Sequence, residues 1–274
     1  DAALYPRPRL RTYRDLDVLV EPGDLERSVE RLEDAGFQLA DRNWLQIRER
    51  MVSQLHLERE GSAPIDLHWT LIFDAARRRT FRLELKDMVA RARSVEVAGA
   101  QVHTLDAEDT LIHLAVHAAI EGGDRLVWLK DIDVAARSEL SWDEVVARTR
   151  AFGVELPVAS LLARSSRVLG APVPGEVLRR LAPRSWRTLT SVLDTCFPVA
   201  TSQGIGSPAT LLTRSARDGV GTSLRRAATG LVRRSRTSLA EGRVGRVDHR
   251  FNPDAEGSLL YAAGDTADRE EYFS

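Results

Sequence analysis

The chain has 274 residues, of which 43% are hydrophobic and 29% charged, a composition typical of a globular protein with a sizeable core. Its net charge of -1 gives no general argument for nucleic acid or membrane as a partner, and no apolar run reaches the ~20 residues that a membrane span needs. One cysteine, Cys196, excludes an intrachain disulfide and favours a reducing, cytoplasmic compartment.

The first hundred residues have the pattern of an α/β fold. Residues 16–21 form an apolar run typical of a buried strand, and residues 24–35 repeat apolar positions at helical spacing. Gly36 follows where a helix would end. Further strands are predicted over 37–40, 53–59, 64–70, 94–97 and 101–104.

The strands at 53–59 and 64–70 predict a hairpin with one apolar and one polar face. The apolar face collects Leu55, Leu57, Ile65, Leu67 and Trp69, and the polar face collects Gln54, His56, Glu58, Asp66, His68 and Thr70. A loop of three or five residues keeps these two sets apart, because a shift of one residue inverts a strand's faces. One face of the hairpin therefore gathers acids and histidines.

After Leu105 the pattern becomes helical. Helices are predicted over 106–121, 125–137, 142–152, 156–169, 174–181 and 184–196. Asp106 is expected to cap the first of them with Asp109 in the capping-box position, and Ser141 to cap the third. These patterns predict three regions, which are an α/β core at 1–104, a helical domain at 105–197 and a flexible tail at 198–274.

The last region is rich in arginine, glycine and serine. Residues 211–250 contain ten arginines against three acidic residues, and one amphipathic helix is predicted around 222–236. Without interleaved aromatic residues, this composition favours a loosely ordered tail over a surface for nucleic acid or anionic lipid.

The segment RTYRDLDVLV contains two closely spaced acids. In a strand, Asp15 and Asp17 point to the same side, while Leu16, Val18 and Val20 face the core. Two adjacent carboxylates repel each other unless a cation or a proton offsets their charge, and oxygen ligands favour Mg²⁺ or Mn²⁺. Asp66 could supply a third carboxylate. The alternative is a pair of solvated aspartates neutralised by Arg11 or Arg14.

These residues resemble a bacterial family of uncharacterised nucleotidyltransferases within the DNA polymerase beta-like superfamily. The matching segments are RTYRDLDVLV at 11–20, AGF at 35–37, IDLHW at 65–69, LIHLAVH at 111–117 and WLKD at 128–131. The resemblance implies a nucleotidyltransferase-like mixed sheet with flanking helices, an α/β (α+β) fold, followed by a C-terminal helical domain.

The resemblance also implies transfer of a nucleotide monophosphate from an NTP such as ATP to a hydroxyl of a small molecule or protein. Mg²⁺ or Mn²⁺ would bind at Asp15, Asp17 and Asp66, which would also be the catalytic residues. Asp15 and Asp17 would hold the ion on the triphosphate, and Asp66 would hold a second ion or act as a base. Arg11, Lys130 and Asp131 would bind nucleotide.

Three histidines are candidates for substrate contacts: His56, His68 and His117. A structural, hydrogen-bonded role is the alternative for each of them. Asp109, His113 and His117 share one helical stripe, for which packing is favoured over zinc binding. Lys130 and Asp131 could equally be a surface pair without a joint role.

One family feature is missing. Related proteins usually carry a Lys-Gly pair before the Asp-x-Asp strand, where the superfamily places a phosphate-binding Gly-Ser element, and no glycine precedes Asp15 here. We therefore expect the core at 1–104 to lack this element. The alternatives to an enzyme are a catalytically impaired nucleotide- or metal-binding module, or a toxin–antitoxin regulator with the same fold. The acceptor, the base and the oligomeric state are not encoded in any motif.

Overall fold

The structure is a computed structural model. It describes residues 15–49, 53–72, 81–83, 85–97, 99–199, 207–217, 219–240 and 266–273, together with Tyr5, Arg11, Tyr13 and Arg78.

The described residues form strands and helices in an α/β order followed by a helical run. The strands are β1 (Leu16–Leu19), β2 (Gln38–Leu39), β3 (Gln54–Glu58), β4 (Ile65–His68), β5 (Arg93–Val97) and β6 (Ala100–Thr104). The helices are α1 (Leu25–Asp34), α2 (Trp44–Glu49), α3 (Leu85–Ala90), α4 (Ala107–Glu121), α5 (Leu126–Ala136), α6 (Trp142–Ala151), α7 (Glu155–Leu169), α8 (Gly175–Leu181), α9 (Arg184–Cys196), α10 (Pro208–Ser215), α11 (Val220–Ala240) and α12 (Thr266–Phe273). The predicted fold class, a mixed sheet with helices and then a mostly helical region, is confirmed.

The chain divides into two compact units. The sheet unit combines Arg11–Arg79 with Arg243–Ser274, and the helical unit combines Asp1–Leu10 with Thr80–Gly242. The predicted domain limits at 104 and 197 stay a prediction. Helices α10, α11 and α12 fall within the range predicted as a flexible tail, and α11 includes the helix expected around 222–236.

The sheet unit is built on four strands in the order β1-β4-β3-β2. Strands β1 and β4 run parallel, while β3 is antiparallel to both of its neighbours. Leu57 pairs with Ile65 at the end of the β3–β4 ladder, so an odd number of residues connects the paired positions, as the alternation of faces predicts.

One face of this sheet is the core of the unit. Leu55, Leu57 and Leu67 are fully buried there, and they pack with Val29 of α1 and Ile47 of α2. Burying such aliphatic side chains contributes roughly 1.5–3 kcal/mol each. The predicted apolar face of the hairpin is confirmed.

The expectation that Leu16 faces the core is wrong. Val18 and Val20 pack against the core cluster as predicted, but Leu16 is 56% exposed. It is the first residue of β1, which lies at one end of the sheet order, and the core cluster on that face does not extend to it.

The sheet unit also contains the last described helix. Tyr272 and Phe273 of α12 contact the buried ring of Trp44 at centroid distances of 5.1 Å and 5.3 Å. Arg269 pairs with Glu33 of α1 through two hydrogen bonds of 2.9 Å and 2.7 Å. Helix α12 therefore covers α1 and α2 with both apolar and charged contacts.

The helical unit packs α4 and α5 against α7. Leu111, Ile112, Leu129, Ile132 and Leu161 are all fully buried between helices of this unit.

Side-chain caps begin three of the helices described in this unit, two of them predicted from the sequence and the third formed by Ser207 at α10. Asp106 accepts a hydrogen bond of 2.8 Å from the backbone N–H of Asp109, and Ser141 accepts one of 3.4 Å from that of Glu144. Both predicted caps are confirmed.

The turn between α4 and α5 requires glycine. Gly122 and Gly123 have φ angles of 104° and 63°, which disfavour other residues. A Cβ on Gly122 would lie 2.4 Å from the Thr210 side chain, and one on Gly123 would lie 2.6 Å from that of Arg164. Arg164 is buried beside the turn, where it donates hydrogen bonds to both glycine carbonyls.

Within the part of the chain that the structure describes, no helix combines the length and apolar character needed to cross a bilayer.

Candidate metal centre

Two aspartates face each other on the polar side of the sheet. Asp17 of β1 is the register partner of Asp66 of β4, and His56 of β3 is the partner of Asp66 on its other side. His68 follows Asp66 by two residues and so projects from the same face. Ligand atoms of Asp17, Asp66 and His68 all lie within 4.8 Å of one another.

The three side chains of this group differ in burial. The side chain of Asp66 is 8% exposed, that of His68 is 20% exposed, and that of Asp17 is 74% exposed. Asp66 lies on an inner strand with neighbours on both sides, whereas Asp17 lies on an end strand. The group therefore has one open side, where a substrate could enter.

Each aspartate of the pair contacts a histidine. Nε2 of His68 lies 3.0 Å from Oδ1 of Asp17, and Nδ1 of His56 lies 2.6 Å from Oδ1 of Asp66. The other ring nitrogen of His56 lies 3.0 Å from Oε1 of Glu58. A histidine between two carboxylates partly offsets the negative charge of this face.

The pKa values reflect this concentration of charge. The hydrogen bond with Asp66 is the main cause that raises the pKa of His56 to about 9. Burial raises the pKa of Asp15, and the negative charges of Asp17 and Asp66 raise it further. Asp15 therefore lies within electrostatic reach of Asp17 and Asp66, although among the described residues the group within 4.8 Å contains Asp17 and Asp66 but not Asp15.

Sequence reasoning missed Asp41. This residue is 6% exposed, and its Oδ2 accepts a hydrogen bond of 2.7 Å from the backbone N–H of His56. Burial raises its pKa to about 6. Asp41 lies just beyond the short strand β2, where side-chain alternation no longer predicts direction, so only its position after an apolar strand hinted at a role.

The donor atoms of the group fit a divalent cation. Two carboxylate oxygens from adjacent strands lie within 4.8 Å of each other, and a cation between them would relieve their mutual repulsion. Carboxylate oxygens are the ligands that Mg²⁺ and Mn²⁺ prefer. The residues present are therefore suited to hold the metal that the sequence predicts.

The predicted nucleotide-binding residues of α5 have partners within the helical unit. Nζ of Lys130 pairs with the buried Asp133 at 2.7 Å. Asp131 is 5% exposed and accepts a hydrogen bond from the Tyr5 hydroxyl. These contacts stabilise α5, and a role of Lys130 and Asp131 in nucleotide binding stays a prediction.

Arg11, the third predicted nucleotide contact, lies 5.1 Å from the centroid of the Tyr13 ring, at cation–π distance. Arg14, which could neutralise the acids, lies outside the described residues. The role of Arg11 stays a prediction.

The helical stripe of α4 does not assemble as a zinc group among the described residues. Asp109 is fully buried and pairs with Arg91 and Arg148. The ring of His117 packs edge-on against Trp128 at 6.1 Å and lies 6.2 Å from that of His113. A substrate contact for His117 stays a prediction.

A mixed sheet that brings Asp17 beside Asp66, followed by a mostly helical region, is the architecture that the resemblance to nucleotidyltransferases implies. A family model described as uncharacterised nucleotidyltransferase matches residues 2–170, which is more than half of the 274-residue chain, and the chain belongs to this family. Comparison with curated proteins found no match, and neither did comparison with solved structures.

Proposed function

We propose that the protein is a metal-dependent nucleotidyltransferase. It would move a nucleotide monophosphate from an NTP such as ATP to a hydroxyl of a small molecule or protein, with release of pyrophosphate. Family membership supports the reaction class. The single structural observation that supports the proposal is the convergence of Asp17 and Asp66 within a group of ligand atoms less than 4.8 Å apart.

The chemistry needs an ion, an oriented acceptor and a base. The acceptor oxygen would form a bond to the α-phosphorus while the bond from that phosphorus to the pyrophosphate oxygen breaks. A bound divalent ion supplies Lewis-acid stabilisation of the charge on the phosphate oxygens. Asp17, with Asp15 beside it, would orient the triphosphate at the open side of the group.

Asp66 is suited to the more internal role. Its carboxylate is largely buried, and the hydrogen bond from His56 fixes its orientation. In this position it would either complete a second cation site or accept the proton of the attacking hydroxyl. The roles of Arg11, Lys130 and Asp131 in binding the nucleotide belong to the same proposal.

A second candidate is a binding module that holds metal and nucleotide without turnover. The contact of His56 with Asp66 favours it, because it already occupies one oxygen of the carboxylate that would otherwise accept the proton of the attacking hydroxyl.

Labelling separates the two candidates. Purified protein is incubated with each of the four α-³²P-labelled triphosphates, Mg²⁺ or Mn²⁺, and cell extract, and compared with Asp17→Asn and Asp66→Asn. Asp24→Asn, an exposed acid before α1, is the matched control. Label transfer by wild type and Asp24→Asn, and its loss in both site variants, is the result we expect.

Binding is measured in parallel by thermal shift with metal and triphosphate. A shift that requires Asp17 and Asp66 but occurs without label transfer would favour the binding module. If wild type shows neither transfer nor shift, or if the site variants behave as wild type does, the proposed function is wrong.

A further inference from the structure

His68 lies where an additional metal ligand would lie. Its Nε2 atom is 3.0 Å from Oδ1 of Asp17 and belongs to the same group of ligand atoms as Asp66. We propose that His68 is a direct ligand of the cation, and that a set of two carboxylate oxygens and one imidazole nitrogen makes this site prefer Mn²⁺ to Mg²⁺. The inference rests on the proposed function, because it concerns the same metal.

The spacing of the donor atoms matches one coordination sphere. With metal–ligand distances of ~2.1 Å, neighbouring ligands of an octahedral ion lie ~3.0 Å apart and opposite ligands ~4.2 Å apart. The distance from His68 to Asp17 equals the first value, and the limit of 4.8 Å for the whole group is only slightly larger than the second. Small side-chain rotations would therefore bring all three donors onto one ion.

The chemistry of the donors determines which ion is favoured. Mg²⁺ prefers oxygen ligands and is reluctant to lose its water shell, whereas imidazole nitrogen suits transition metals. Coordination uses the lone pair of Nε2, so the ring proton would reside on Nδ1 in the bound state. An ion that accepts both oxygen and nitrogen, as Mn²⁺ does, satisfies the complete set.

His56 provides an internal comparison. Its side chain is 20% exposed, as is that of His68, and it also contacts an aspartate. Both of its ring nitrogens, however, face carboxylates, Asp66 on one side and Glu58 on the other. His56 is therefore a positioning residue that orients Asp66 from outside the ligand set.

Pulsed electron paramagnetic resonance of the full chain loaded with Mn²⁺ tests the inference directly, because a coordinated imidazole gives a ¹⁴N modulation. We expect this modulation in wild type and in His56→Gln, and its loss in His68→Gln. Titration of free Mn²⁺ should show affinity weakened by at least ~10- to 100-fold in His68→Gln, because the loss of an outer-shell partner alone already costs that much. Circular dichroism checks that each variant is folded.

A second variant tests the preference for Mn²⁺ over Mg²⁺ without removing a ligand from the site. His68→Asp replaces the nitrogen with oxygen, so we expect the affinity ratio of Mn²⁺ to Mg²⁺ to fall relative to wild type, as measured by competition. A ¹⁴N modulation that is absent in wild type or persists in His68→Gln would overturn the assignment of His68, as would an unchanged ratio in His68→Asp.

The same titrations distinguish this inference from the proposed function. If Asp17→Asn abolishes Mn²⁺ binding while His68→Gln leaves it unchanged, the role of His68 is refuted and the metal site remains. If wild type does not bind Mn²⁺, with or without triphosphate, both the inference and the proposed function are wrong.

Discussion

Replacing Asp41 with asparagine should stabilise the protein at neutral pH, although it removes a hydrogen-bonded carboxylate. Asp41 is buried, and its Oδ2 accepts a hydrogen bond from the backbone N–H of His56. The amide oxygen of asparagine has the same shape and can accept the same bond. The variant therefore removes a buried charge while keeping the contact.

The size of the effect follows from the pKa. Burial raises the pKa of Asp41 from 3.8 to about 6, and at 1.36 kcal/mol per pKa unit this corresponds to about 3 kcal/mol of stability lost above pH 7. The folded state binds the proton more tightly than the unfolded state does. The stability of the wild type therefore falls as the pH rises from about 4 to about 6, and asparagine avoids this loss.

Urea denaturation of both proteins at several pH values, with EDTA present to exclude metal, measures the difference. Asp41→Asn should exceed wild type by a margin that grows between pH 4 and pH 6 and then stays constant. Glu58→Gln is the control, because Glu58 contacts the same histidine but is 60% exposed, and it should give no such gain. A less stable Asp41→Asn at pH 8, or a margin independent of pH, would refute the reasoning.

Three further predictions concern stability. His56 has its pKa raised from 6.5 to about 9, so the excess stability of wild type over His56→Gln should be complete below pH 6.5 and lost as the pH rises through about 9, as measured by denaturation in EDTA. Arg164→Met removes one of the two arginines that pair with Asp194 and leaves the Gly122 and Gly123 carbonyls without their Arg164 hydrogen bonds, so it should cost at least about 2 kcal/mol in urea denaturation, and a cost below 1 kcal/mol would contradict this. Tyr272→Ala removes a ring contact with Trp44 and should cost at least about 1 kcal/mol, with an unchanged Tm as the contrary result.

The fold could be predicted from the sequence wherever a helix or strand has one buried face. The alternation of Leu55, Leu57 and Leu67 predicts a shared face because a slip of one residue would expose all of them, and all three are fully buried. The caps at Asp106 and Ser141 were also predicted, because each is a local feature whose partner lies only three residues away.

The details of the site depend on strand order, which local patterns do not contain. Alternation places Asp17, His56 and Asp66 on polar faces, but only the order β1-β4-β3 shows that Asp66 lies between the other two. The partnership of each histidine with a particular aspartate was therefore not predictable. The packing of α12 on Trp44 was missed because that short helix offers few apolar positions and its partner is distant in sequence.

The position of α12 has a consequence for biosynthesis. Residues 44–72 emerge from the ribosome long before residues 266–273 are translated, with residues 80–242 of the helical unit produced in between. During that interval Trp44 lacks two aromatic neighbours, and the candidate metal centre is carried on a sheet whose supporting layer is incomplete. The nascent chain can complete the packing of its sheet unit only after the last of these segments has been synthesised.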